Sequence, residues 1–129
     1  MQLVNGKGAR ETGACWMSAV QYYITNGQGD WHDHPACVDP VIRILCTWIN
    51  GRLNTDEERG RVIGPHLFAP VGTNKGLEMT LVRARWVAKQ VLPQWEGPVP
   101  PSVVSFLETG EGYECARQDA WKAAKAAFE

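Results

Sequence analysis

Residues 31 to 40, WHDHPACVDP, place two histidines, two aspartates and a cysteine within ten positions. Imidazole, thiolate and carboxylate are the side chains that hold transition metals and move protons near neutral pH. One chemistry for this stretch is a zinc site formed by His32, His34 and Cys37, with Cys15 as a fourth ligand. The donor types suit zinc, and a His-x-His pair on a loop can grip one ion. Cys15 lies near the start of a predicted helix and the loop leaves its far end, so the loop has to double back along the helix. Its length permits that. The plainer reading, taken first here, has no metal and no cofactor: His32 and His34 lie exposed on the loop, and Cys37 is a small buried hydrophobe.

A second chemistry starts from GACWMSAVQYY, residues 13 to 23. A cysteine in the first turn of a helix feels unsatisfied amides and the positive dipole end, which favour a thiolate. Papain-like and C39-like cysteine peptidases place their nucleophile this way, and Cys15-Trp16 resembles them. The base would be His32, His34 or His66, with Cys15 and His34 as the candidate catalytic pair. In those families the histidine usually lies in a sheet, and this chain has almost no strand sequence. The alternative is that Cys15 packs beneath the loop and does no chemistry.

Arg43, Thr47 and Asn50 form the only polar stripe on an otherwise apolar helix. A guanidinium there must meet water, a carboxylate or a ligand. An ion pair from Arg43 to Asp33 or Asp39 would clip the loop to the helix. The other possibility is a polar pocket for an anionic or nucleotide ligand, without a glycine-rich phosphate loop to support it. The expected binding set is Trp31, Asp33, His34, Arg43 and Asn50, with Trp31 the first contact candidate because a loop tryptophan offers a large area at low entropic cost.

The elements that position these residues are helical. Thr12 is a candidate N-cap for a helix to about Asn26, stopped by Gly27. Asp39 caps a second helix, with Pro40 at its first position, running to Asn50 and ending at Gly51. Because apolar residues cover most of its circumference, both helices are expected at the centre of a bundle. Thr55 to Glu58 reads as a capping box for a short helix ending at Gly64-Pro65. GPHLFAPVGTN reads as an ordered apolar loop. A longer helix over about 74–92 shows Leu77, Leu81, Ala84, Ala88 and Val91 on one face, widened by Val82 and Trp86. Its outer face carries Arg83, Arg85 and Lys89, with Lys75 nearby. Proline-rich LPQWEGPVPPS breaks it. A two-turn helix follows over 102–109, ended by Gly110, and an alanine-rich one runs from Tyr113 to Phe128. Trp86, Trp95 and Trp121 fall near apolar helical positions and are expected in the core. Weak strand hints occur at Leu3-Val4 and Val62-Ile63.

The expected fold is all-α: one domain over 1–129 of about five or six helices with long ordered loops, an arm at 1–11 and an alanine-rich terminal helix at 113–129. The chain has 129 residues, 44% hydrophobic and 21% charged, with a formal net charge of −1. A near-neutral balance removes the generic electrostatic case for nucleic acid or anionic membranes. There is no signal-peptide-like run or membrane span, so a cytoplasmic location is expected. The 4 cysteines then read as thiols or metal ligands, and no C-x-x-C pair occurs.

GACWM, then W-x-D-H-P-x-C-V-x-P-V-I-R (Trp31 to Arg43), Asn50, a proline-containing stretch and Gly72-Thr73 together resemble small proteins encoded by phages and actinobacteria. The resemblance implies a phage or mobile-element origin. It implies no activity, cofactor or catalytic residue. In that setting the expected function is stoichiometric binding to a host or phage protein, for example inhibition of a host defence system. The alternative is a thiol- or metal-dependent enzyme, or a small-ligand binder, using Cys15, His34 and Cys37.

Overall fold

The computed structural model describes residues 1–6 and 8–127. Lys7 and the end of the predicted last helix, Phe128 and Glu129, lie outside the described residues. The described part is predominantly helical, as expected, with six α-helices and one two-stranded sheet. The chain divides into two compact units, Met1–Gly76 and Leu77–Glu129.

The first unit begins with a small sheet. Strand β1, Gly8–Ala9, pairs antiparallel with β2, Gly13–Ala14, and Leu3 makes a parallel bridge to Ala14. The Leu3-Val4 hint thus marks a real extended segment, tied by Val4 N–H to Ala14 O at 2.9 Å and Ala14 N–H to Gln2 O at 2.9 Å. Glycine is required at the crossing point. Gly13 has φ +118°, and a Cβ there would lie 2.6 Å from the Gln2 carbonyl oxygen. Gly13→Ala is expected to destabilise the unit by about 2 kcal/mol, through left-handed strain plus loss of the Gln2 bridge. Urea denaturation measures this.

Helix α1, Trp16–Ile24, starts three residues later than the Thr12 cap implied. Thr12 sits in the turn between the strands, its N–H bonded to Ala9 O at 3.1 Å, and Cys15 takes the cap instead. Ending α1, Thr25 is the C-cap, Asn26 and Gly27 are both left-handed, and Gly27 N–H reaches Tyr22 O at 2.8 Å. Its first five residues, Trp16 to Val20, are all buried and form the middle of a core with Leu3, Ala14, Val38, Cys46 and Ile63. The Trp16 indole N–H also bonds to Leu67 O at 2.9 Å.

Helix α2, Pro40–Arg52, begins where Asp39 and Pro40 predicted. The Asp39 carboxylate accepts from Val41 N–H at 2.8 Å and Ile42 N–H at 3.4 Å. It does not take the central place expected of it: only Cys46 and Asn50 are buried along its length. Helix α3, Asp56–Ile63, is capped by Thr55 as read, its hydroxyl accepting from Glu58 N–H at 3.1 Å, while Glu58 reaches back to Asn54 N–H. Val62 and Ile63, hinted as strand, complete this helix. A 3-10 turn over Gly64–His66 and a series of turns carry the chain to Gly76.

The second unit is three helices: α4, Leu77–Val91; α5, Pro101–Thr109; and α6, Tyr113–Ala127. Phe106, Leu107 and Ala116 are its buried centre, with Leu81, Ala84, Ala88 and Leu92 packed around them. The tryptophans expected in the core are not there. Trp86 is 62% and Trp121 68% exposed. Both lie on helix positions turned from this centre, to which α6 contributes Ala116. Gly110, left-handed at φ +79°, closes α5 by bonding Phe106 O at 2.8 Å. The Arg85 guanidinium gives Nη2 to Leu107 O at 2.8 Å, a cation at a helix C-terminus, where the macrodipole favours it. No described helix is long and apolar enough to cross a membrane.

Candidate functional site

The 27–39 loop is held in place, though not by the guanidinium expected. Arg10, on the turn between the strands, gives Nη1 to Gly27 O at 2.6 Å and Nη2 to Gly29 O. Trp31 donates its indole N–H to Gly8 O at 3.1 Å and sets its ring edge-on to Tyr22, with centroids 6.2 Å apart. Further along, Asn74 ties Ala36 O at 2.8 Å through Nδ2 and Cys37 O at 3.0 Å through its backbone N–H. Thr73 Oγ1 accepts from Asp39 N–H at 3.0 Å.

Arg43 has no carboxylate within ion-pair distance among the described residues. Its expected partners are engaged elsewhere: Asp33 pairs with His34 Nδ1 at 2.7 Å, and Asp39 caps α2. Arg43 lies one turn beyond that cap, half-buried on the helix, while Asp39 points inward and is fully buried.

Asn50, the last member of the polar stripe, faces inward too. Its Oδ1 accepts from Trp16 N–H at 3.1 Å, and its Nδ2 donates to Val4 O at 2.9 Å. It thereby caps α1 from outside the helix and secures the N-terminal strand. Its own carbonyl accepts from Arg59 Nε at 2.8 Å. Arg59 is 4% exposed, gives Nη2 to Leu53 O at 2.6 Å and pairs with Asp56 at 2.7 Å. Sequence reasoning missed Arg59. The signal available was an arginine one turn after the Thr55 cap, directly following the capping box.

Cys15 is buried at the α1 cap. Its Sγ lies 3.2 Å from Ser18 Oγ and accepts from Ser18 N–H at 3.4 Å. The first amide of α1, which would steady a thiolate or an oxyanion, is taken by Asn50. The seam between α1 and the loop, lined by Ser18 and His32 among others, has no room for a water molecule. No imidazole bonds to the Cys15 thiol among the described residues. His32 Nδ1 accepts from His34 N–H at 3.1 Å, so a neutral His32 carries its proton on Nε2. His34 is largely exposed beside Asp33. Among the described residues, no three His, Cys, Asp or Glu side chains are grouped to hold a metal ion, so Cys15, His32, His34 and Cys37 are not brought together.

The four thiols differ in environment. Cys15 and Cys46 are buried, Cys37 is half-buried and Cys115 is exposed. Burial pushes the Cys46 thiol from 9.0 up to about 11. Since the folded state holds this proton more tightly than the unfolded chain, its contribution to stability is complete below pH 9.0 and is lost as pH rises through about 11. Iodoacetamide labelling read by mass spectrometry at pH 8.5 should modify Cys115 and leave Cys46 intact.

The first unit leaves the outer side of α2 open. Ile44 is 60% and Trp48 58% exposed, Leu45 adjoins them, and the Arg52 guanidinium stacks over the Trp48 ring at 4.8 Å. Ile44, Trp48 and Arg52, spaced by four, make one apolar stripe ending in a cation. In the second unit, a cleft of about 290 Å³ opens between α4, α5 and α6, walled almost wholly by apolar side chains. Compared with protein-family models, with curated proteins and with solved structures, the chain matches none.

Proposed function

We propose that the protein acts by stoichiometric binding to another protein, with the outer stripe of α2 as its contact surface. The observation that carries this reading is the exposure of Ile44 and Trp48 on one turn-spaced line, with Arg52 laid over the indole. Tryptophan and arginine dominate the energetics of protein interfaces, and an exposed aromatic held by a neighbour loses little entropy on contact. A solitary exposed apolar residue needs no explanation, whereas a contiguous patch does.

The stripe ends in the Arg52 cation, and α2 has no acidic residue between Pro40 and Arg52. A partner surface that is apolar with an acidic edge fits this charge pattern. Trp31 has less to offer, since its N–H and part of its ring are used within the fold. Four thiols, none in a disulfide, fit a reducing compartment such as the cytoplasm. A host factor as partner follows from the phage resemblance.

Quantitative co-purification with tagged protein from the cells that express it tests this. Trp48→Ala is expected to weaken capture of a stoichiometric partner about 30-fold, equivalent to roughly 2 kcal/mol at a hot spot, with unfolding free energy unchanged. Undiminished capture by Trp48→Ala, with loss on His34→Ala, would move the contact to the loop.

A further inference from the structure

Three asparagines are followed by glycine: Asn5-Gly6, Asn26-Gly27 and Asn50-Gly51. Such a pair is chemically labile, because the glycine nitrogen can approach the asparagine side-chain carbonyl with no Cβ in its way. Ring closure needs an amide nitrogen that is not committed elsewhere, a backbone that can adjust, and access for water. The structure separates the three pairs on these counts.

Asn50 is 2% exposed within α2, and Trp16 N–H and Val4 O hold both ends of its side-chain amide. Asn26 is exposed at the end of α1, but Gly27 N–H is committed to Tyr22 O at 2.8 Å. Asn5 and Gly6 are both exposed. Gly6 N–H points to Asn5 Oδ1 at 3.0 Å, so the nitrogen and the carbonyl it would attack already lie side by side. Gly6 is left-handed at φ +74°, and nothing stands within 4 Å of the place a Cβ on it would take.

We infer that Asn5 is a site of spontaneous modification, where the Gly6 nitrogen attacks Asn5 Cγ and expels the side-chain amide as ammonia. The Gly6 nitrogen gives its proton to solvent base, the bond from Cγ to Nδ2 breaks, and the departing nitrogen takes a proton from water. A five-membered imide is left. Water then opens it at the side-chain carbonyl, giving aspartate, or at the main-chain carbonyl, giving isoaspartate. Either product puts a negative charge beside the last turn of α2, where the macrodipole disfavours it: Asn5 Oδ1 stands 3.9 Å from the position of a Cβ on Gly51. Isoaspartate also lengthens the main chain by a methylene directly after Val4, whose N–H and carbonyl are tied to Ala14 O and Asn50 Nδ2, both at 2.9 Å. The change therefore loosens the junction that Asn50 secures.

Incubation of the intact protein in oxygen-18 water at neutral pH, followed by peptide mapping that resolves aspartate from isoaspartate, tests the assignment. Expected is conversion of Asn5 to both products, each carrying one labelled oxygen. It should run about tenfold or more faster than at Asn26 or Asn50, whose reaction waits on local opening. In concentrated urea the three rates should converge to within about threefold, since the fold no longer distinguishes them. Asn5→Gln should remove the fast reaction, and the isolated converted protein should unfold at a lower urea concentration than the unconverted. Conversion at Asn26 or Asn50 as fast as at Asn5 in the folded protein overturns the inference, as does product without label. A rate gap that persists in urea overturns it too, because the folded geometry is then not what selects Asn5. An unchanged unfolding midpoint overturns the proposed effect on the junction.

Discussion

Replacing Asn50 by leucine is expected to lower the unfolding free energy of the first unit by about 3 kcal/mol, although the change is apolar and close in size. Asn50 is 2% exposed and joins three parts of the chain. Its amide accepts the first N–H of α1 and donates to the Val4 carbonyl, and its backbone carbonyl receives Arg59. A leucine leaves one buried donor and one buried acceptor unpaired, and each costs about 1–3 kcal/mol when water cannot reach it. Chemical denaturation measures the loss. A change below about 1 kcal/mol would mean that water or a small shift satisfies both groups.

Arg59→Met is expected to cost a similar amount, about 3 kcal/mol, by a different route. The guanidinium is the buried cap of α2's C-terminal end, satisfying Asn50 O and Leu53 O together. Its ion pair with Asp56 contributes less, because that carboxylate's side chain is 40% exposed and solvent screens it. The matching control is therefore Asp56→Asn, expected to cost under about 1 kcal/mol. The double variant Asn50→Leu with Arg59→Met should cost less than the sum of the singles, since both act on the same junction of the N-terminal strand, α1 and α2.

Local chemistry was the legible part of this fold. Asp39 with Pro40, Thr55 with Glu58, and Gly110 each specify a helix end within a few residues, and the structure has all three ends. Thr12 failed as a cap because the decisive interaction is not local: Ala14 is drawn into pairing with Gln2, Leu3 and Gly8, and strands of two small residues carry no alternation to read. The clip on the loop was foreseen, but its guanidinium is that of Arg10 and not Arg43. Both arginines lie within reach in sequence, and only the folded strand turn decides between them. For α2, an apolar circumference reads as a central helix, and a helix with one face left bare has the same sequence pattern. Trp86 and Trp121 were misplaced for the same reason.

The ten residues that first drew attention to chemistry are thus mostly scaffold. Asp39 caps, Trp31 and Cys37 are tied through backbone carbonyls, and Asn50 and Thr73, which share the same resemblance, hold the loop and the strand. His34 with Asp33 is the exposed remainder.

Site-specific photo-crosslinking in the expressing cells tests the central claim most directly, with a benzophenone side chain placed in turn at positions 48 and 34. The account predicts one discrete protein adduct from position 48, suppressed by excess wild-type protein and not by a Trp48→Ala, Ile44→Ala competitor, with none from position 34. An adduct from position 34 alone, or one that the doubly substituted competitor suppresses equally well, would contradict it.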